Sequence, residues 1–240
     1  MNKLQETPRI YGNVWGITVD GQNDFALPTG ALSVKDGEAI VQPSNEFNQF
    51  VRDHSGNVIF TADWHPAETA HFQKYGGIWP EHCVADTEGA QLHSGLIVMP
   101  EDTFAIKGTG TKDDGYSGME AVPQSGALYR PELAEAGFTL QDALLEAEEE
   151  MRQRKQRLVV GIGGLATDFC VKATVLDALK ATDRRVTDVV LLRDAIRAVN
   201  LEPDAGDKAI AAMIEAGALA MSTRELIRGG IVIDRSRLER

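Results

Sequence analysis

The stretch Leu158-Val159-Val160-Gly161-Ile162-Gly163-Gly164-Leu165-Ala166-Thr167-Asp168-Phe169-Cys170 reads as a strand, a small-residue turn and a helix start. Residues 158–162 carry no polar face, as a strand buried on both sides of a parallel sheet requires. The glycines then loosen the turn. Thr167 or Asp168 is suited to N-cap a helix over about 168–181, with Val171, Val175, Leu176 and Leu179 as its apolar stripe. A strand followed by a helix, with no hairpin between, is the repeating unit of an α/β fold.

The same alternation extends in both directions. Val14–Val19 is a predicted strand ending at Asp20. A helix over about 43–53 opens at Pro43 and Ser44 and buries Phe47, Phe50 and Val51. Val58–Ala62 is a second strand, ending at Asp63, and Phe104-Ala105-Ile106 is a third, leading into Lys107. Thr139 and Asp142 form a capping box for a helix that buries Leu140, Leu144, Ala147 and Met151. In that helix Glu148–Arg152 and Glu150–Arg154 pair at i,i+4 and read as a solvated face. A strand at 189–192, a helix over 204–216 stopping at Gly217, a strand at 218–221 and a helix at 222–228 follow. Gly230-Ile231-Val232-Ile233 can add a strand. Segment 64–100 has no period and reads as a functional loop region, and 108–138 as irregular. The expectation is one domain over 1–240, α/β with a mostly parallel sheet, a longer loop at 119–138 and a tail at 229–240.

Charge and length narrow the partners. Among 240 residues, 24 basic against 36 acidic side chains leave a net charge of −12, which disfavours nucleic acid and anionic membrane. No apolar run approaches the ~18 residues of a membrane span. Met1–Glu6 lacks the apolar core of a signal peptide, so a cytoplasmic location is expected. The two cysteines, Cys83 and Cys170, are too few for a disulfide framework.

Four polar segments follow predicted strands: Asp20, Asp63 with His65, Lys107, and the Cys170 turn. In an open parallel sheet the carboxyl ends of the strands share one edge, where ligands bind. Asp63 and His65 stand at i and i+2 of an extended segment and point to one side. With His71 and His82 they make a set of three imidazoles and one carboxylate that suits one divalent Zn, Fe or Mn ion and suits Ca or Mg poorly. His54 and His93 have no such company and read as structural. Cys170, in the first turn of a helix, is expected to have a lowered pKa, with amides of that turn free for an oxyanion. A thiol nucleophile needs a proton acceptor, and a leaving amine needs the proton back; Asp20 and Lys107 are the candidates, Asp20 staying ionised beside a cation. A rival reading takes Gly161-x-Gly163-x-x-Ala166, with Asp194 after the next strand, as a dinucleotide fingerprint of an NAD-binding oxidoreductase. It leaves the Asp/His cluster unexplained.

These segments together resemble the nicotinamidase/pyrazinamidase branch of the isochorismatase-like cysteine hydrolases. The resemblance is carried, in order, by Val19-Asp20-Gly21-Gln22-Asn23-Asp24-Phe25, Asp63-Trp64-His65-Pro66 with His71-Phe72, and Trp79-Pro80-Glu81-His82-Cys83-Val84. It continues through Lys107-Gly108, Gly115-Tyr116-Ser117-Gly118 and Gly164-Leu165-Ala166-Thr167-Asp168-Phe169-Cys170-Val171. It implies a doubly wound, mostly parallel sheet with helices on both faces. It implies Cys170 as nucleophile, Asp20 as general acid/base, Lys107 as third member of a triad, and an oxyanion hole at the amides of Ala166 and Cys170, with a cis peptide between Leu165 and Ala166. It implies Asp63, His65 and His82 as metal ligands, with His71 a fourth ligand present in some members, and Phe25, Trp79 and Tyr116 as pocket walls. The implied reaction is hydrolysis of nicotinamide to nicotinate and ammonia through a thioester, with pyrazinamide also accepted, in the recycling of nicotinamide for NAD synthesis. The metal engages the pyridine nitrogen; isochorismatases and carbamoyl-group amidases generally lack the ligand set. Another small amide as substrate, or a catalytically silent binding protein, are the alternatives. A homo-oligomer is compatible with the resemblance. The chain departs from the pattern in the long 119–138 segment, the extra Gly163-Gly164, the spacing from Lys107 to Tyr116, and the tail beyond 228.

Overall fold

The computed structural model describes residues 10–112, 115–230 and 232–233. The strands in chain order are β1 (Ile10–Tyr11), β2 (Asn13–Val19), β3 (Asn57–Asp63), β4 (Thr103–Lys107), β5 (Val122–Ser125), β6 (Leu158–Leu165), β7 (Thr187–Arg197), β8 (Leu219–Met221) and β9 (Val232–Ile233). The α-helices are α1 (Asn23–Ala26), α2 (Val41–Asp53), α3 (Pro131–Ala134), α4 (Leu140–Gln153), α5 (Lys172–Ala181), α6 (Ala205–Ala216) and α7 (Thr223–Glu225). Seven strands form one sheet in the order β5-β4-β3-β2-β6-β7-β8, and β1 pairs with β9 in parallel apart from it. All neighbours in the large sheet are parallel except β4–β5. From β2 the chain winds outward through β3 and β4, then returns to β6 beside β2 and winds the other way. The order therefore reverses between β2 and β6, the position where open α/β sheets bind ligands.

Apolar side chains cover both faces, as a doubly wound sheet requires. Trp15, Ile17 and Val19 of β2 point to one face, into a core shared with Leu140, Leu144 and Met151 of α4 and Val175 and Ala178 of α5. Val14 and Val159 point to the other, against Phe47 and Val51 of α2. The close approach of α2 depends on Gly161, where a Cβ would run into the Phe47 ring. Emptying that contact with Phe47→Ala would cost about 3–5 kcal/mol.

Several elements differ from the sequence reading. Segment 108–138 is not irregular throughout: β5 is an antiparallel edge strand inside it and α3 a single turn. Pro123 and the brevity of β5 hide it, since proline in a strand signals an edge or no strand. Helix α2 begins at Val41, led in by a 3₁₀ turn at Gly37–Ile40, so Ser44 is buried inside it instead of capping it. Strand β6 runs on through Gly163 and Gly164 to Leu165. Gly164 (φ +120°) lies against β2, where a Cβ would strike the carbonyl of Val19. The glycines thus serve strand-to-strand contact and not a turn around a pyrophosphate. Asp194 lies within β7, where its carboxylate accepts from the Thr223 amide (2.8 Å) and hydroxyl (3.0 Å). Both observations overturn the dinucleotide reading. Glu148 is also not solvated: it is buried and accepts from the Asp183 amide (2.9 Å) and the Thr187 hydroxyl (2.6 Å), tying α4 to the turn before β7. The 222–228 helix splits into α7, with a Ser222/Glu225 capping box, and a π-helical turn at Leu226–Gly230. The predicted tail 229–240 contributes β9; residues 231 and 234–240 lie outside the described residues. Among the described residues no helix is long and apolar enough to cross a membrane.

Candidate active site

The carboxyl ends of β2, β3, β4 and β6 bring Asp20, Asp63, Lys107 and the Cys170 turn together. Asp20 leaves β2 in a left-handed conformation (φ +47°). Its amide donates to the Thr61 carbonyl (3.1 Å) and its Oδ1 accepts from the Thr61 hydroxyl (2.7 Å). Lys107 faces Asp63 in the β3–β4 register. Its ammonium group bonds Asp63 Oδ1 closely, lies 2.9 Å from Asp20 Oδ2, donates to the Gly115 carbonyl at 2.6 Å, and approaches Cys170 Sγ at 3.6 Å. All four side chains are buried.

Burial and this one cation divide the charges. Burial would strip Lys107 of its proton, but Asp20 and Asp63 hold it protonated, well above the ordinary lysine range. Burial also disfavours the Asp63 carboxylate, yet Lys107 and His65 overcome it and hold the group below the usual carboxylate range. For Asp20 burial prevails over Lys107, and the pKa rises to about 6; a neighbouring cation does not restore the ordinary value. Cys170 differs more from expectation. Burial pushes its thiol well above its usual value, and Asp20 and Asp63 add to that, outweighing Lys107. The expected helix-terminus thiolate is therefore not the resting form: Thr167–Val171 is a π-helical turn ahead of α5, with Ala166 before it and no side-chain cap. Asp168 instead accepts from the amides of Val199 (2.9 Å) and Asn200 (2.8 Å). The Ala166 carbonyl accepts from the Phe169 and Val171 amides, both at 3.1 Å, while the Cys170 amide between them is not part of that pair. The Leu165–Ala166 peptide is cis.

Beside this group lie three imidazoles. His65, His71 and His82 each offer a nitrogen within 4.8 Å of the others. The Nδ1 atoms of His65 and His82 are taken by the carbonyls of Gly108 (2.9 Å) and Pro80 (2.8 Å). That fixes each ring and leaves Nε2 facing the gap, the arrangement expected of metal-ligating histidines. His65 Nε2 is buried with no hydrogen-bond partner, and such an atom costs free energy unless something binds it. Burial lowers His71 to about 4 and also lowers His82, so both rings are neutral donors at neutral pH. Asp63 stands between the two groups: Oδ1 faces Lys107 and Oδ2 lies 3.6 Å from His65 Nε2. The donor set fits one divalent ion of the Zn, Fe or Mn kind. His54 and His93 stand apart, bonded to Phe50 and to Glu38.

A small, partly open pocket gives onto both groups, lined by Phe25, Trp79, Tyr116, His71, His82 and Cys170 among others. The Trp79 indole donates to the Tyr116 hydroxyl at 3.0 Å. Leu32, Phe169 and Val199 also line it, and the sequence reading does not single them out; Phe169, next to Cys170 and edge-on to Trp79 at 4.9 Å, is the one that sequence position could reveal. Gln22 was missed as well. It is buried and brackets the Asp63 backbone, its side chain accepting from the Asp63 amide and donating to its carbonyl, both at 2.8 Å. Cys83, its thiol raised by burial, is a core residue.

The family described as Isochorismatase domain matches residues 15–112. The nicotinamidase of Escherichia coli is 33% identical over 217 residues, covering 84% of this chain and 91% of that protein. The zinc complex of the pyrazinamidase of Pyrococcus horikoshii is 30% identical, with a TM-score of 0.67 over 88% of this chain and 99% of that one. PnC1 from L. infantum in complex with nicotinate is 29% identical, with a TM-score of 0.69 over 93% and 96%.

Proposed function

The chain belongs to the isochorismatase-like hydrolases, in the branch that holds the nicotinamidases, and on that premise we propose that it hydrolyses nicotinamide to nicotinate and ammonia. The observation that carries this reading is the opening of one small aromatic cavity on both a buried thiol–carboxylate–lysine group and a three-histidine cluster. Residues 1–240 make up one such hydrolase domain. Pyrazinamide is a second substrate, since it keeps the heteroaromatic ring and the carboxamide.

Asp63, His65, His71 and His82 would hold one divalent ion, which when bound supplies a Lewis acid for the ring nitrogen. Phe25 and Trp79 flank the ring, and Tyr116 fixes Trp79 through its hydroxyl. Because the Cys170 thiol is protonated at rest, its proton passes to Asp20 as sulfur attacks the carboxamide carbon. The amides of Ala166 and Cys170 receive the developing oxyanion. Asp20 returns the proton to the departing nitrogen, releasing ammonia and leaving a thioester on Cys170. Asp20 then deprotonates water for attack on the thioester, nicotinate leaves, and the thiol regains its proton. Lys107 keeps its charge throughout and balances Asp20, Asp63 and the transient thiolate.

A net charge of −12 supports a free small molecule as partner in preference to nucleic acid or anionic membrane. The test is ammonia release from nicotinamide and pyrazinamide by the metal-loaded protein, with Cys170→Ala alongside. Release by wild type alone supports the reading. No release from either amide, with metal bound, overturns the substrate and leaves the hydrolase chemistry to be sought on other amides.

A further inference from the structure

The proposed mechanism uses Cys170 and Lys107, which sit on separate pieces of chain. Cys170 is fixed by the π-helical turn before α5. Lys107 is fixed on its far side by the carbonyl of Gly115, in the loop that also carries Tyr116. Between these two pieces lies a side chain with no role in the chemistry so far. Thr174 is fully buried on the first turn of α5. Its hydroxyl donates to the Cys170 carbonyl at 2.6 Å and accepts from the Gly118 amide at 2.7 Å. One hydroxyl thus joins the nucleophile's own residue to the 115–118 loop. The loop is pressed against it: a Cβ on Gly118 would lie 3.0 Å from Thr174 Oγ1 and 3.2 Å from Thr61 Cγ2. Thr61 is the residue that bonds Asp20, so the same contact abuts the support of the acid/base.

We propose that Thr174 is a positioning residue for the hydrolysis: its hydroxyl sets the Cys170 turn at the correct distance from the loop that holds Lys107 and Tyr116. A threonine that bonds back to the residue four before it is common in helices and by itself only local. Here the second bond leaves the helix and reaches the wall of the site. Displacements near 1 Å at a reacting centre cost on the order of a hundredfold in rate, and this hydroxyl makes a direct hydrogen bond from α5 to that loop.

The inference rests on the amidase reading, and the test separates the two. Thr174→Val keeps shape and burial but removes both bonds; Thr174→Ser keeps the hydroxyl. For Thr174→Val, kcat per folded molecule should fall roughly tenfold to a hundredfold. KM should change by less, because Trp79 still holds Tyr116. Thr174→Ser should stay within about threefold of wild type in kcat. The rate of iodoacetamide alkylation mapped to Cys170 should change in Thr174→Val and not in Thr174→Ser. That readout needs no substrate, so it stands even if nicotinamide proves to be the wrong amide. Thr174→Val with wild-type kcat and alkylation rate, losing only melting temperature, would reduce Thr174 to a structural role and overturn the proposal. Failure of Thr174→Ser to restore kcat would overturn it too. Should Thr174→Val not fold, Gly118→Ala presses the same contact from the loop side. Lowered kcat there, with Thr174→Ser near wild type, supports the proposal; unchanged kcat and alkylation in Gly118→Ala overturns it.

Discussion

Lys107 stands opposite Asp63 across β3 and β4, and its ammonium group also lies 2.9 Å from Asp20 Oδ2 and 3.6 Å from Cys170 Sγ. A single cation therefore balances both the carboxylate beside the histidines and the carboxylate proposed to move protons. Lys107→Met removes it and leaves Asp20 and Asp63 buried without the cation they share. Breaking a buried pair in this way costs about 3–5 kcal/mol, and turnover should be lost with it. Urea unfolding checks the first part; an unchanged midpoint would contradict the charge balance described.

Cys170→Ala should abolish turnover, by at least about 10⁴-fold, while leaving the unfolding midpoint near wild type. Mass spectrometry of wild type quenched during turnover should show an added nicotinoyl group on Cys170 and none on the variant. Turnover by the variant close to wild type would exclude the covalent route.

Burial raises Asp20 to about 6, and the first step needs its carboxylate form. The sign follows: above this pKa the base is ready, and below it the group already carries a proton. kcat/KM should therefore begin to decline as pH falls through about 6, where an aspartate of ordinary pKa would hold the rate until about 4. A pH–rate profile of metal-loaded protein measures this; a flat profile from 7 to 5 would remove Asp20 from the role of base.

Removing the metal should weaken substrate capture more than it slows chemistry, because the residues proposed for proton transfer, Cys170, Asp20 and Lys107, are not among the proposed ligands. Dialysis against a chelator should raise KM and lower the melting temperature, and added Zn, Fe(II) or Mn(II) should restore both, since a ligand bound only to the folded state stabilises it. His82→Ala should lose metal-dependent stabilisation. Full activity in a protein shown to be free of metal would refute this account.

Trp79→Phe keeps an aromatic wall but deletes the bond to Tyr116. KM should rise roughly threefold to tenfold, the loss of about one hydrogen bond, with kcat less affected. Steady-state kinetics on nicotinamide decide it; an unchanged KM would show that the bond does not shape the pocket.

Much of this architecture is legible from residue order. Strands that end at Asp20, Asp63 and Lys107 can be recognised because buried parallel strands carry no charged face, so the first charged residue marks the edge. The histidines are legible as a cluster because three of them fall within residues 65–82. What escaped were features decided by tertiary environment. Glu148 looks like one more charge on a solvated helix, and only packing against Asp183 and Thr187 buries it. β5 is short and contains Pro123, and its pairing with β4 comes from the sheet edge and not from its own pattern. The Cys170 thiol was misjudged because a helix-start argument weighs the dipole and free amides, whereas full burial beside two carboxylates governs the proton. Gln22 lies in a segment that carries the resemblance but is assigned no role by it, and Thr174 carries no pattern at all; their importance lies in which backbone atoms they touch.

Gly164 brings the β6 main chain against the carbonyl of Val19, one residue before Asp20. The interval between the strand that ends at Asp20 and the strand that leads into the Cys170 turn is consequently a main-chain dimension, with no rotamer in it to adjust. Selection for a different amide has little purchase there. It has purchase on the pocket lining, at Leu32, Phe169 and Val199. The reaction and its substrate range are thus under separate control in this chain, and the second can drift while the first stays fixed.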